Sequence, residues 1–102
     1  MNSNDFNFKN VALLITHYNR SKSLERLLSS FEKLNCQFAE IVVSDDCSSQ
    51  IHQEKIKELK ERFSFRYISS SVNKGLGNNI NKGQKLVTAE YTLYVQEDFV
   101  PN

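Results

Sequence analysis

Cysteine is scarce in this 102-residue chain, and its two cysteines, Cys36 and Cys47, stand at no metal-ligand spacing. They read as reduced thiols in a cytoplasmic setting, filling space as small buried side chains. Long apolar runs are lacking too. The longest, Val11 to Ile15, falls far short of a bilayer span. The opening MNSNDFNFKN has neither the basic nor the apolar stretch of a signal peptide, so none is visible. Neither sign of charge dominates. Thirteen Lys and Arg against twelve Asp and Glu leave a net +1, which gives no reason to expect nucleic acid or an anionic membrane as partner. Glycine is limited to Gly75, Gly77 and Gly83, all in one stretch. Internal repeats, low-complexity tracts and linkers are absent. What remains is an ordinary globular composition, 39% apolar and 25% charged, sized for one domain or part of one. Such a chain buries a core without much surplus.

Taken in order, residues 1–8 are polar and expected to fray. Lys9 to Thr16 is a continuous apolar run around VALLIT, the pattern of a strand buried on both faces. Ser21 is a candidate N-cap. Leu24, Leu27, Leu28, Phe31 and Leu34 recur at helical spacing to about Lys33, with Asn35 as the stop. AEIVVS, residues 39–44, is a second strand, and DDCSS after it is built of turn and cap formers. A second helix is expected over 51–62, with Ile56, Leu59 and Phe63 inward and EKIKELKER as its solvated face. FRYIS, 65–69, is a third strand. A third helix is expected over 76–87, with Leu76, Ile80 and Leu86 or Val87 inward. Gly83 in it either avoids crowding a neighbour or merely weakens the helix. Tyr91 to Val95 is a fourth strand. Strands alternating with amphipathic helices predict an α/β fold, a three-layer α/β/α arrangement around a mostly parallel sheet. Right-handed crossovers then bring the loops at 16–20, 45–49, 73–77 and 96–98 to one sheet edge.

That edge carries the chemistry. Gln96-Glu97-Asp98 sets acids at a strand end, suited to Mg²⁺ or Mn²⁺ that keeps waters and substrate phosphates; the plainer reading is a solvated turn. Asp45-Asp46 could accept from a base or ribose, or Asp46 or Ser48 could cap the second helix. Tyr18 could stack on a base and Thr16 bond it, or Tyr18 could simply pack. His17 could be a base or a ligand, though a lone loop histidine is more often neither. Lys74, in the Asn73 to Gly77 loop before a helix, could meet a phosphate. That loop is no dinucleotide fingerprint, since Ile80 stands where a third glycine belongs, and no P-loop, since G-K-[ST] is missing.

Together, in this order, these segments resemble the N-terminal half of a family 2 glycosyltransferase of the GT-A, nucleotide-diphospho-sugar transferase fold. VALLITHYNR resembles the first strand and its nucleotide loop, and AEIVVSDDCSS the second strand with its D-D-x-S turn. NKGLGNNINKG resembles an N-x-G-x-x-x-A-x-N-x-G segment, with Asn79 at the alanine. AEYTLYVQEDF resembles the G-E-Y-x-x-x-L-D-x-D run that ends in the metal motif. The resemblance spans about residues 9–101. It implies that Thr16, Tyr18, Asn19 and Asp46 meet the nucleotide, that Asp45 supports their loop, and that Lys74 lies near the phosphates or base. Asp98, with Glu97, would hold Mn²⁺ or Mg²⁺ bridging the diphosphate. Gln96 replaces the first Asp of that motif, Ala89 replaces a glycine, and Thr16-His17 replaces the commoner Pro-Thr.

The implied activity is transfer of a sugar from a nucleotide-diphosphate sugar, UDP-linked, to a carbohydrate or lipid-linked acceptor hydroxyl with inversion. The implied setting is the cytoplasm, or the cytoplasmic face of a membrane in a longer protein. In such enzymes the general base and acceptor pocket lie in the second half, beyond Asn102. The sequence is therefore expected to be cut short after the fourth strand, inactive by itself, and prone to self-association through apolar surface. Competing readings are a catalytically silent nucleotide-binding fragment, favoured by Gln96, a receiver-like signalling module, and a dinucleotide-binding oxidoreductase domain. The receiver lacks its acids, since Thr16-His17 and Ser69-Ser70 occupy their places.

Overall fold

A computed structural model describes residues 6–99. Four strands and three helices alternate along the chain: β1 (Phe6–His17), α1 (Ser21–Lys33), β2 (Cys36–Asp45), α2 (Gln50–Arg62), β3 (Arg66–Ser69), α3 (Leu76–Gln84) and β4 (Tyr91–Gln96). The strands form one parallel sheet in the order β3-β2-β1-β4. The central strand β1 pairs on both sides, Leu14 facing Val42 on one and Tyr94 on the other. That position explains its unbroken apolar run: Ala12, Leu13, Leu14 and Ile15 are all fully buried.

Alternation along β1 divides the core. Leu13 and Ile15, with Val43 and Val95, join Leu24, Leu27, Leu28 and Phe31 of α1 and Ile56 and Leu59 of α2 in one apolar cluster. Two steps in one direction, β1 to β2 to β3, put α1 and α2 on that face. The third connection runs back past β1 to β4, so α3 covers the opposite face. There the fit is close. A Cβ on Gly83 would stand 2.4 Å from Leu14 Cδ1 and 2.9 Å from Ser44 Cβ, so the glycine is a spacer that lets α3 lie against β1 and β2.

Several expectations shift. β1 begins at Phe6, so 6–8, expected to fray, are strand, whereas residues 1–5 lie outside the described residues, as do Val100, Pro101 and Asn102. Ser21 is the first helical residue rather than the N-cap, which is Arg20, and its hydroxyl lies 2.9 Å from His52 Nδ1. Asn35 ends α1 as expected, at φ 54°. Neither Asp46 nor Ser48 caps α2, whose N-cap is Ser49. Phe65 precedes β3 and is buried. α3 stops at Gln84, and its inward residues are Asn79 and Gly83 rather than Leu76 and Ile80, because the close approach needs small and polar side chains against Ser44. Leu76 is 49% exposed.

Candidate functional site

The four loops do share one edge, and backbone hydrogen bonds carry the sheet's ladder into them. Asp46 N–H donates to the His17 carbonyl (3.0 Å), Ser70 N–H to the Asp45 carbonyl (3.1 Å), and Glu97 N–H to the Thr16 carbonyl (3.1 Å). Strand order reverses direction between β1 and β4, which opens a crevice beyond their C-terminal ends, where open α/β sheets take ligands. A cleft of about 330 Å³ occupies it, lined chiefly by Thr16, Tyr18, Asp46, Asn73, Gln96 and Glu97. A larger groove of about 630 Å³ between the starts of α1 and α2 lies to the side, with Ile51, 74% exposed, along it.

Asp45 is the hub beneath the cleft. It is wholly buried, and both its oxygens are used. Oδ1 accepts from His17 Nδ1 (2.7 Å) and from the Ser48 hydroxyl, and Oδ2 accepts from Ser48 N–H (2.8 Å) and Ser69 Oγ (2.9 Å). Burial by itself would raise its pKa, but hydrogen bonds from His17, Ser48 and Ser69 outweigh it and hold the carboxyl at about 2. The supporting part expected of Asp45 is what its geometry permits.

A pH dependence follows. The carboxyl's ordinary pKa is 3.8 and its folded value about 2, so its contribution is complete above about pH 4 and is lost as pH falls through 2. The shift is worth roughly 2 kcal/mol. Urea midpoints measured from pH 6 to pH 2 should fall in the wild type. In Asp45→Asn the part owed to this group should vanish. Glu40, also lowered, remains in both: burial raises its pKa, but bonds from Thr88 and Ala89 prevail.

His17 is neither base nor ligand. It is 1% exposed, and Nε2 accepts the Arg20 backbone N–H at 3.1 Å, so the proton sits on Nδ1, facing Asp45. The ring thereby fixes the turn into α1. Asn19 completes that turn at φ 50°, its Oδ1 accepting Ser49 N–H at 2.8 Å, which ties the first loop to the second.

Asp46 acts on a third loop. Oδ1 accepts Lys74 N–H (2.7 Å) and Oδ2 accepts Gly75 N–H (2.9 Å), a two-pronged clasp on the segment before α3. Gly75 stands at φ 89°, a conformation a side chain would strain. Lys74's backbone is therefore what meets Asp46. Its side chain is exposed and borders a neighbouring hollow of about 380 Å³ with Ser70, Asn78, Lys82 and Lys85. Thr16 is buried with its hydroxyl 3.0 Å from Tyr94 Oη, while Tyr18 is 46% exposed at the mouth.

Three participants escaped the sequence reading. Asn79 accepts the Ser44 hydroxyl at 2.7 Å and so pins α3 to β2; its place at an alanine of the resembled motif was the available signal. Lys82 donates from Nζ to the Asp45 carbonyl and to Ser70 Oγ, and burial pushes its pKa down. The third is Arg20, whose guanidinium lies 3.7 Å from Glu97 Oε1 and 3.9 Å from Asp98 Oδ2.

Glu97 and Asp98 follow β4 as expected. Burial raises the Glu97 pKa, and its side chain is 13% exposed against 52% for Asp98. Among the described residues no three His, Cys, Asp or Glu form a metal-holding group. Two carboxylates beside the Gln96 amide are nonetheless a hard oxygen set, which fits a cation that takes its remaining ligands from water and phosphate.

The family model for glycosyl transferase family 2 matches residues 12–102. The chain is 32% identical over 90 residues to a poly-beta-1,6-N-acetyl-D-glucosamine synthase of Staphylococcus epidermidis, covering 88% of this chain and 22% of that protein. It thus spans about a fifth of the length of such relatives. In fold it is similar to a mannosyltransferase of Pyrobaculum calidifontis in complex with GDP-Man and Mn²⁺ (TM-score 0.76, 16% identity, 89% of this chain and 28% of that one). It is also similar to residues 1–349 of Staphylococcus aureus TarS in complex with UDP (TM-score 0.72, 24% identity, 87% of this chain and 27% of that one). A parallel sheet whose crevice carries the acid-bearing loops, matched by the family over nearly all the described residues, places the chain plainly: it belongs to glycosyl transferase family 2.

Proposed function

We propose that this chain forms the donor-binding half of a glycosyltransferase that takes a sugar from a UDP-linked donor and passes it, with inversion, to a carbohydrate or lipid-linked acceptor. The observation that carries this reading is the cleft beyond the ends of β1 and β4, its wall formed by Thr16, Tyr18, Asp46, Gln96 and Glu97 among others. Tyr18 offers a ring face for a base, and Thr16 offers a hydroxyl. The fold relatives bound to GDP-Man and to UDP support a nucleotide-sugar donor. In the reaction the acceptor oxygen attacks the anomeric carbon opposite the diphosphate, the bond to the diphosphate breaks, and a carboxylate takes the acceptor's proton. The reading assigns that base to another part of the transferase. A divalent cation held by Glu97 and Asp98 would neutralise charge on the departing diphosphate. The Gln96 substitution favours a second reading, a catalytically silent protein that binds nucleotide.

Calorimetry on the full-length protein with UDP and with GDP, each with Mn²⁺, tests the cleft. UDP at about 100 times its Kd should add about 2.7 kcal/mol of stability. Asp46→Ala should weaken UDP at least about tenfold, because the Lys74 and Gly75 amides lose their acceptor and that wall opens. Absence of binding by either nucleotide would sink the reading. Binding without turnover of any sugar donor would select the silent protein.

A further inference from the structure

Arg20 is the cation nearest the acids that end β4, and nothing holds it tightly there. At 3.7 and 3.9 Å its distances to Glu97 and Asp98 exceed those of a charge-assisted hydrogen bond, about 2.7–2.9 Å. The side chain is 60% exposed, and such pairs contribute little. Its guanidinium donates no hydrogen bond among the described residues. Arg66, by contrast, donates to the Leu86 carbonyl, and Arg62 donates to Glu25. Its backbone is nonetheless fixed, since the Arg20 N–H is held by buried His17 and the residue opens α1. A rigid base thus carries a loosely paired fork of donors beside Glu97, which lines the cleft, while Arg20 itself lines the larger groove next to it. A divalent cation on Glu97 and Asp98 would meet the positive charge of Arg20 at close range, while a diphosphate would offer the fork a bidentate partner.

We infer that Arg20 competes with the divalent cation for Glu97 and Asp98 and, resting on the donor-cleft reading above, that it transfers to the donor's diphosphate when nucleotide binds. Arrival of the diphosphate then clears the acids for the cation. Nucleotide and cation strengthen one another through the relocation of one side chain, in addition to any direct coordination.

Mn²⁺ binding to the full-length protein, followed by the electron paramagnetic resonance of free Mn²⁺, and metal-free UDP binding, followed by calorimetry, test this in the wild type, Arg20→Gln and Arg20→Lys. Arg20→Gln should bind Mn²⁺ alone about threefold more tightly, since a competing exposed ion pair is gone. It should bind UDP without metal about tenfold more weakly. Arg20→Lys, which keeps the charge but not the fork, should bind Mn²⁺ as the wild type does and UDP with intermediate affinity. Thermal unfolding should not move in either variant. If Arg20→Gln leaves either affinity at the wild-type value, the assignment is overturned while the cleft stands. If the wild type binds no nucleoside diphosphate, the cleft reading fails and this assignment falls with it.

Discussion

Asp45→Ala should destabilise the domain by roughly 3–5 kcal/mol at neutral pH, the cost of breaking a buried charged network by deleting one member. The carboxylate is fully buried and serves His17, Ser48 twice, and Ser69. Alanine would leave those donors facing each other with no acceptor, each costing about 1–3 kcal/mol less whatever water can enter to satisfy. Small domains hold only about 5–15 kcal/mol in total, so urea denaturation should show a sharply lowered midpoint. Asp45→Asn should lose less, because one amide oxygen still accepts. An alanine variant with a midpoint within the error of the wild type would show that water replaces the carboxylate, and the hub would then be a crowd of independent bonds.

Gly83→Val should be the next most damaging change, with a smaller loss. Its Cβ would lie 2.4 Å from Leu14 Cδ1 and 2.9 Å from Ser44 Cβ. The leucine terminus can swing, but Ser44 Cβ sits on the backbone of β2 and cannot. α3 must lift, which breaks the bonds between Ser44 and Asn79. Overpacking of this kind costs about 1–3 kcal/mol, and a fall in melting temperature of about 10–20 °C is expected. Gly83→Ala meets the same first clash but gains up to about 1 kcal/mol of helix propensity, so its loss should be smaller. Adding Leu14→Ala to Gly83→Val should not restore the wild-type midpoint, since Ser44 remains. Full recovery in the double variant would mean that Leu14 alone sets the spacing.

Period and run length carried the fold. Five apolar residues in β1 fit a strand with neighbours on both sides, and Leu24, Leu27, Leu28 and Phe31 fit one helical stripe, and both fits hold in the structure. The layout of the edge followed from chain order and handedness. α3 was misread because its packing is not apolar. Asn79 and Gly83 face the sheet where a periodicity argument looks for Leu76 and Ile80, and only the proximity of Ser44 explains the choice. At the site, acids at strand ends were visible, but which acid does what was not. Asp45 and Asp46 are adjacent in sequence and opposite in task, because Asp45 is the last residue of β2, buried among His17, Ser48 and Ser69, while Asp46 opens the loop beyond it and turns to the Lys74 and Gly75 amides. The part of Arg20 depends on a pairing across 77 residues of sequence to Glu97, which no local pattern encodes.

The clasp of Asp46 on Lys74 and Gly75 has a consequence for any attempt to breed new donor preference into this scaffold. Because one carboxylate grips both amides, the segment before α3 moves when Asp46 moves, and libraries that vary residues 73–77 together with Asp46 would sample mostly collapsed walls. Tyr18 and Gln96 face the same opening without holding another loop through their side chains, so diversity introduced there would explore recognition while leaving the architecture intact.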